Sequence, residues 1–142
     1  MTTTRRHSVH IQAPVAVVFT YVEDPQQTWG GETAISDITT TPQGIGTTWN
    51  FTSPLFGGLQ LTGTMTRTDQ VVDSRIVEES STGPTWTWTM QPGHHDDTEL
   101  TLEMTYSTRI PLADQAVMLT VGRHTDEDMQ RWLTAIKMAV ER

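Results

Sequence analysis

An enzyme working in a buried pocket needs acid, base or oxyanion-stabilising side chains that point inward, and this 142-residue chain offers few. Tyr106 is the clearest. It closes a run in which Leu100, Leu102, Met104 and Tyr106 alternate with Glu99, Thr101, Glu103 and Thr105, so its hydroxyl shares a face with large apolar side chains. Arg75 and Glu79 are weaker candidates on a strand whose face the sequence leaves open. Their plainer reading is a solvated or surface-paired strand edge, because such residues are rarely buried unpaired. His7 depends on an equally open face. Glu99 and Glu103 take the opposite parity from Tyr106 and belong on the wet face. His94-His95-Asp96-Asp97 carries ligand-type side chains, but four consecutive turn residues do not converge on one ion, so a solvated turn is the better reading and no metal site is expected. His124 with Asp126, Glu127 and Asp128 reads as favourable charge in the first turn of a helix. The chain has no Cys, which excludes disulfides, thiolate metal sites and cysteine nucleophiles. It also shows no Ser-His-Asp arrangement and no glycine-rich phosphate loop, and nothing in it asks for a cofactor.

Binding chemistry is better represented. Between residues 84 and 109, Trp86, Trp88 and Met90 interleave with Thr85, Thr87 and Thr89 before the run ending at Tyr106 repeats the pattern. Period-two alternation means strands with one buried and one wet face. Pro92-Gly93-His94-His95-Asp96-Asp97 supplies the hairpin connection. Trp49, Phe51, Leu61, Met65, Trp86, Trp88, Met90, Leu102, Met104 and Tyr106 form the candidate ligand-binding face, with Met129 and Leu133 opposite on a helix. Aromatic rings give large contact area and Met adapts its shape, so such a face suits a pocket wall as well as a core.

The elements that must position this face follow from the same patterning. Residues 4 to 12 make a first strand. Pro14 fits the first turn of a helix in which Val15, Val18, Phe19 and Val22 keep helical spacing, and Pro25 stops it. Asp24 caps a second short helix over 25 to 29. From 33 to 110 turn signals at 42–44, 54–58, 69–74, 83–84 and 92–97 separate six strands, whose apolar faces include Ile38, Leu59 and Val77 beside the residues already named. The strand at 74 to 82 is ambiguous, since Ile76 and Val77 are adjacent. Helix returns at the C-terminus with Met129, Leu133, Ile136 and Val140 on one stripe and Trp132 beside it. Thr125 and Asp128 resemble a capping box at its start. An earlier helical piece over 111 to 121, carrying Ala116, Val117 and Leu119, is expected to break or kink at Gly122.

Six or seven strands about 4.8 Å apart make a sheet roughly 30 Å wide, whereas one helix with its side chains is about 10 to 12 Å across. A flat sheet would leave its apolar face in water. A curled sheet gripping the long helix covers that face, and the space inside is either filled by side chains or left as a pocket. The expected architecture is therefore a single α+β domain over residues 1 to 142, a helix-grip arrangement of order β-α-α-β6-α with a curved antiparallel sheet of about seven strands around the C-terminal helix.

Ala13-Pro14-Val15-Ala16-Val17-Val18-Phe19-Thr20-Tyr21-Val22-Glu23-Asp24-Pro25, followed by Trp29, resembles the opening of the SRPBCC superfamily, the START-like or helix-grip proteins that include polyketide cyclase/dehydratase-like members. Gly44-Ile45-Gly46-Thr47 resembles the glycine-containing approach to the third strand, Asp97-Thr98-Glu99-Leu100-Thr101 the start of the last, and Leu133-Thr134-Ala135-Ile136-Lys137 with Glu141 the closing helix. The resemblance covers nearly the whole chain. It implies the same fold, and functions ranging over lipid and hormone carriage, cyclisation, ring-hydroxylase domains and chaperone activation.

Charge and composition narrow the partners. With 17 acidic and 9 basic residues the net charge is −8, a field that repels phosphate backbones, so nucleic acid is an unexpected partner. The N-terminus shows no signal peptide and no membrane span, so no membrane insertion is expected and a cytoplasmic location fits. The 27 Thr residues suit the solvated face of a pleated sheet. The leading expectation is non-covalent binding of a small hydrophobic molecule, a lipid, polyketide or aromatic metabolite, between sheet and C-terminal helix. The alternatives are a metal-free cyclase, aromatase or dehydratase using Tyr106 with help from Arg75 or Glu79, and a ligand-independent interaction module.

Overall fold

A computed structural model describes residues 2–30, 33–54, 60–107 and 112–142, with the side chains of all these except Thr2, Ser107 and 112–125. The elements in chain order are β1 (Thr2–Ile11), α1 (Val15–Glu23), α2 (Pro25–Thr28), β2 (Ala34–Thr39), β3 (Thr48–Pro54), β4 (Gln60–Val71), β5 (Arg75–Ser80), β6 (Thr85–Pro92), β7 (Thr98–Ser107) and α3 (Leu112–Val140). The seven strands form one sheet in the order β1-β7-β6-β5-β4-β3-β2, with every neighbouring pair antiparallel. The α1–α2 pair is the crossover that carries the chain from one sheet edge to the other.

Local chemistry explains the boundaries. Pro14 is the N-cap of α1, with φ −62 and ψ 153, one position before the first turn in which the sequence reading put it. Asp24 caps α2 as expected: its Oδ1 accepts from the Gln26 backbone N–H at 3.0 Å, with Pro25 at the first helical position. The Thr28 hydroxyl donates to the Val22 carbonyl at 2.5 Å, which fixes α2 against α1. β2 breaks its register with β3 between Ser36 and Thr39, where Asp37 takes φ 55 and its carboxylate accepts from Asn50 Nδ2 at 2.9 Å.

Three expectations need correction. The C-terminal helix is one element from Leu112 to Val140, with Gly122 inside it rather than at a break, so Thr125 and Asp128 are interior helical positions and not a capping box. His124, Asp126, Glu127 and Asp128 are consequently not first-turn charges either. On β5 the inward residues are Ile76 and Glu78, not Val77, because Ile76 pairs with Trp88 and Glu78 with Trp86 across β6. Ile38 is exposed, beside the register break of β2. Leu59 lies outside the described residues, as do the side chains of Ala116, Val117, Leu119 and His124.

The described half of α3 lies along β1. Lys137 Nζ donates to the His10 carbonyl at 2.7 Å, and Glu141 Oε2 accepts from the Gln12 backbone N–H at 2.7 Å. Met129, Leu133 and Ile136 of this helix are buried in one core cluster with Val18, Phe19 and Val22 of α1 and Leu100 and Leu102 of β7. No helix among the described residues is long and apolar enough to cross a membrane.

Candidate functional site

The inner face of the sheet divides into two regions. In the first, four indoles interlock edge to face: Trp29 lies 5.3 Å from Trp86, 5.5 Å from Trp88 and 5.2 Å from Trp132, and Trp86 lies 5.5 Å from Trp132. These rings come from α2, β6 and α3, so the cluster bolts three elements together. Met90, Leu102, Met129 and Leu133 complete this region and are buried. Six of the candidate ligand contacts, Trp86, Trp88, Met90, Leu102, Met129 and Leu133, are buried together in this region.

At the heart of that core lies an ion pair which sequence reasoning missed. Glu78 and Arg67 have 1% and 3% of their side chains exposed and meet with Nη2 to Oε2 at 2.9 Å. Arg67 Nε also donates to Oε2, at 3.3 Å, while Trp29 Nε1 and Trp88 Nε1 each donate to Oε1 at 3.1 Å. Both carboxylate oxygens are therefore double acceptors. Burial pushes the Glu78 carboxyl above the ordinary glutamate range, against the opposing pull of the Arg67 charge and the hydrogen bonds from Arg67, Trp29 and Trp88. The guanidinium is fully engaged: Nη2 also reaches the Glu23 carbonyl at 2.9 Å, Nη1 donates to Gln70 Oε1 at 2.9 Å, and Cζ stands 5.8 Å from the centre of the Trp49 ring. A signal for this pair existed, since Arg67 shares the parity of Met65 on β4.

Arg67 also forms the floor of a groove of about 400 Å³ at the end of the sheet where β3 begins, walled by Glu23, Asp24, Thr41, Gly44 and Gln70. Gly44 has φ +83, a left-handed conformation that favours glycine, and the Gln70 amide stands against it.

The second region lies toward the β3–β4 connection. Phe51, Met65 and Met104 are buried there, whereas Leu61 and Tyr106 are only partly buried although both stand on the inner face. Trp49 bridges the regions, opposite Met65 in the β3–β4 register and 1% exposed. A polar group joins from β1: His7 Nε2 donates to Asp126 Oδ1 at 2.7 Å, Gln130 Nε2 donates to His7 Nδ1 at 2.7 Å, and Arg5 Nη1 donates to Asp126 Oδ2 at 2.8 Å. His7 thus faces inward, toward α3.

Arg75 and Glu79 do not join either region. Their parity places them on the outer face, where both are exposed and Arg75 pairs with Asp69 Oδ2 at 2.6 Å. Glu103 is likewise on the outer face, bonded to Arg6 through Nε at 3.0 Å, and Glu99 is exposed. His94, His95 and Asp96 are exposed turn residues, while Asp97 Oδ2 meets His10 Nε2 at 3.0 Å. Among the described residues no group of three or more His, Cys, Asp or Glu side chains is arranged to hold a metal ion.

No family model matches the sequence, and no curated protein matches it. Solved structures do match in shape. The KanY protein aligns with a TM-score of 0.79 at 15% identity, covering 100% of this chain and 99% of its own. The Zhui aromatase/cyclase from Streptomyces sp. R1128 aligns with a TM-score of 0.74 at 18% identity, covering 100% and 95%. Ara h 8.0201 aligns with a TM-score of 0.67 at 15% identity, covering 99% and 98%. At such identities the shared property is the fold alone, an antiparallel sheet with a C-terminal helix of the helix-grip type.

Proposed function

We propose that the protein binds a small hydrophobic molecule, a lipid, polyketide or aromatic metabolite, between the inner face of the sheet and α3, at the end lined by Phe51, Leu61, Met65, Met104 and Tyr106. The observation that carries this reading is the contrast between the two regions. Core side chains around the tryptophan cluster are sealed, whereas Leu61 and Tyr106 face inward and keep solvent contact. Inward-facing apolar surface left accessible in one place is the form a ligand site takes. Burying about 300 to 400 Å² of apolar ligand there supplies roughly 7 to 10 kcal/mol before the costs of association, enough for micromolar affinity.

Nile red, a neutral dye that the net charge does not repel, tests the reading. Wild-type protein is expected to take up the dye with micromolar affinity. Leu61→Trp, which fills the accessible end, is expected to weaken uptake at least about tenfold, equivalent to about 1.4 kcal/mol. Thr62→Trp, one residue along on the exposed outer face, is expected to leave uptake unchanged. Absence of uptake by the wild type, or equal loss in both variants, would sink the proposal. Native mass spectrometry of protein purified from cells would then identify the natural ligand.

A second reading, an enzyme of the cyclase or dehydratase class, is favoured by the inward polar groups on β7 and β1. Tyr106 is its acid, and His7, whose Nε2–H is held by Asp126, becomes a base at Nδ1 once substrate displaces the Gln130 amide from it. On this reading Tyr106→Phe lowers turnover of a poly-β-carbonyl thioester by about 100-fold or more with Nile red affinity unchanged. A carrier would show no turnover in either protein.

A further inference from the structure

Among the described residues two arginines stand on the inner face of the sheet, and the protein treats them differently. Arg67 is sealed in the core with Nε, Nη1 and Nη2 all engaged. Arg5 shares the parity of His7 on β1 and lies opposite Met104 of β7, one of the proposed lining residues. Cross-strand partners on one face have Cβ atoms about 5 Å apart, so the Arg5 stem runs beside Met104. Its guanidinium reaches into the space between sheet and α3, where Nη1 donates to Asp126 Oδ2 at 2.8 Å. The head is accessible, with 37% of the side chain exposed. Arg6, Arg67 and Arg75 each bring Nε and Nη2, the two donors of one guanidinium edge, onto a carboxylate oxygen. Arg5 leaves that edge unmatched. Its Nε–H is buried without a partner, while Nη2 has no partner among the described residues and is not buried. A reachable charged donor therefore stands beside the apolar lining of the proposed site.

We infer that Arg5 Nη2 donates to a carboxylate on the bound molecule, so that the ligand is an apolar acid, aromatic or alkyl, rather than a neutral compound. This rests on the proposed binding function and adds a chemical class to it. Apolar contacts from Met104 and Tyr106 supply affinity without direction. A charge-assisted bond at β1 sets which end of the ligand points there, because a carboxylate placed against the apolar lining would lose its water without a replacement partner. The local cation also answers the net charge of −8, which elsewhere on this protein disfavours an anion. Asp126 shares the guanidinium and repels the incoming acid, so it tempers how tightly the acid is held.

The test compares 2-naphthoate with 2-acetylnaphthalene, near-isosteres that differ in charge, near neutral pH where the acid is ionised. Each is measured by displacement of Nile red from the wild type, from Arg5→Met and from Asp126→Asn. Arg5→Met keeps an apolar stem beside Met104 and removes the donors. The acid-to-ketone affinity ratio is expected to fall about tenfold in this variant, the discrimination that one hydrogen bond to a charged group supplies. In Asp126→Asn, where the competing carboxylate is gone and an oxygen still accepts from Arg5 and His7, the ratio is expected to rise about threefold. Decanoate against 2-undecanone, measured in the same way, distinguishes an alkyl acid from an aromatic one by which acid binds tighter. A support role for Arg5 between β1 and α3 would weaken acid and ketone alike. That result, or a ratio that does not rise in Asp126→Asn, would overturn the inference and leave the binding function standing. Failure of all four compounds and of Nile red to bind would overturn both.

Discussion

Arg67→Met is expected to lower stability by about 3 to 5 kcal/mol at pH 7, the usual consequence of removing one partner from a buried ion pair. The loss comes less from the missing attraction than from what stays behind, a Glu78 carboxylate with 1% exposure and no counter-charge. Its pH dependence distinguishes this cause from lost packing. The folded state raises the proton affinity of Glu78, so ionisation of this group opposes folding. That opposition is absent below the ordinary glutamate range, grows as pH climbs from the unfolded value to the folded one, and is complete above it. Without Arg67 the two values separate further. Urea unfolding is therefore expected to show a smaller deficit near pH 5 than near pH 8, both chosen around the ordinary carboxylate and neutral ranges. Adding Glu78→Gln is expected to recover most of the loss, because the amide oxygen still accepts from Trp29 and Trp88 while the buried charge is gone. A deficit that ignores pH and survives Glu78→Gln would mean that the pair contributes by shape alone.

Trp29→Ala is the other severe change, with an expected cost of about 3 to 5 kcal/mol for emptying an aromatic site in a packed core. Trp29 touches each of the other three clustered indoles within 5.5 Å and gives Glu78 one of its four hydrogen bonds. A domain of this size has on the order of 5 to 15 kcal/mol in hand, so the variant is expected to be partly unfolded at 37 °C. Trp29→Phe keeps most of the ring contact but removes one of the two donors to Glu78 Oε1, and an intermediate loss of about 1 to 3 kcal/mol follows. Thermal unfolding followed by near-ultraviolet circular dichroism reads both. Equal stability of the alanine variant and wild type would mean that the cluster is ornamental.

Legibility of the fold followed the cleanliness of the alternation. On β6 and β7 every second residue is large and apolar, and Trp86, Trp88, Met90, Leu100, Leu102 and Met104 are all buried. The Asp24 cap and the prolines beside it set the α1–α2 corner by local chemistry alone. Where local signals ended, partners decided. β5 offers Ile76 and Val77 side by side, and only register with β6 chooses Ile76, which turns Glu78 inward and Arg75 and Glu79 outward. A glutamate looks like a surface residue until an arginine on the preceding strand, directly opposite it in register, is seen to share its face. Gly122 signals a break or kink by its residue type alone, whereas α3 runs through it as one helix. Parity placed Phe51, Leu61, Met65, Met104 and Tyr106 on the inner face with Trp86, Trp88 and Leu102, but it carries no information on which of these the rings arriving from α2 and α3 cover.

The register break in β2 also bears on how the protein behaves in a crowd. An open sheet ends in a strand whose free backbone groups invite another chain to pair with it. β2 is only six residues long, and Asp37 turns its backbone to φ 55 in the middle, with the side chain held by Asn50. An incoming strand would meet an interrupted row of donors and acceptors and find no continuous ladder to extend. The irregularity in this strand therefore acts as a terminator for sheet growth, a safeguard against end-to-end aggregation.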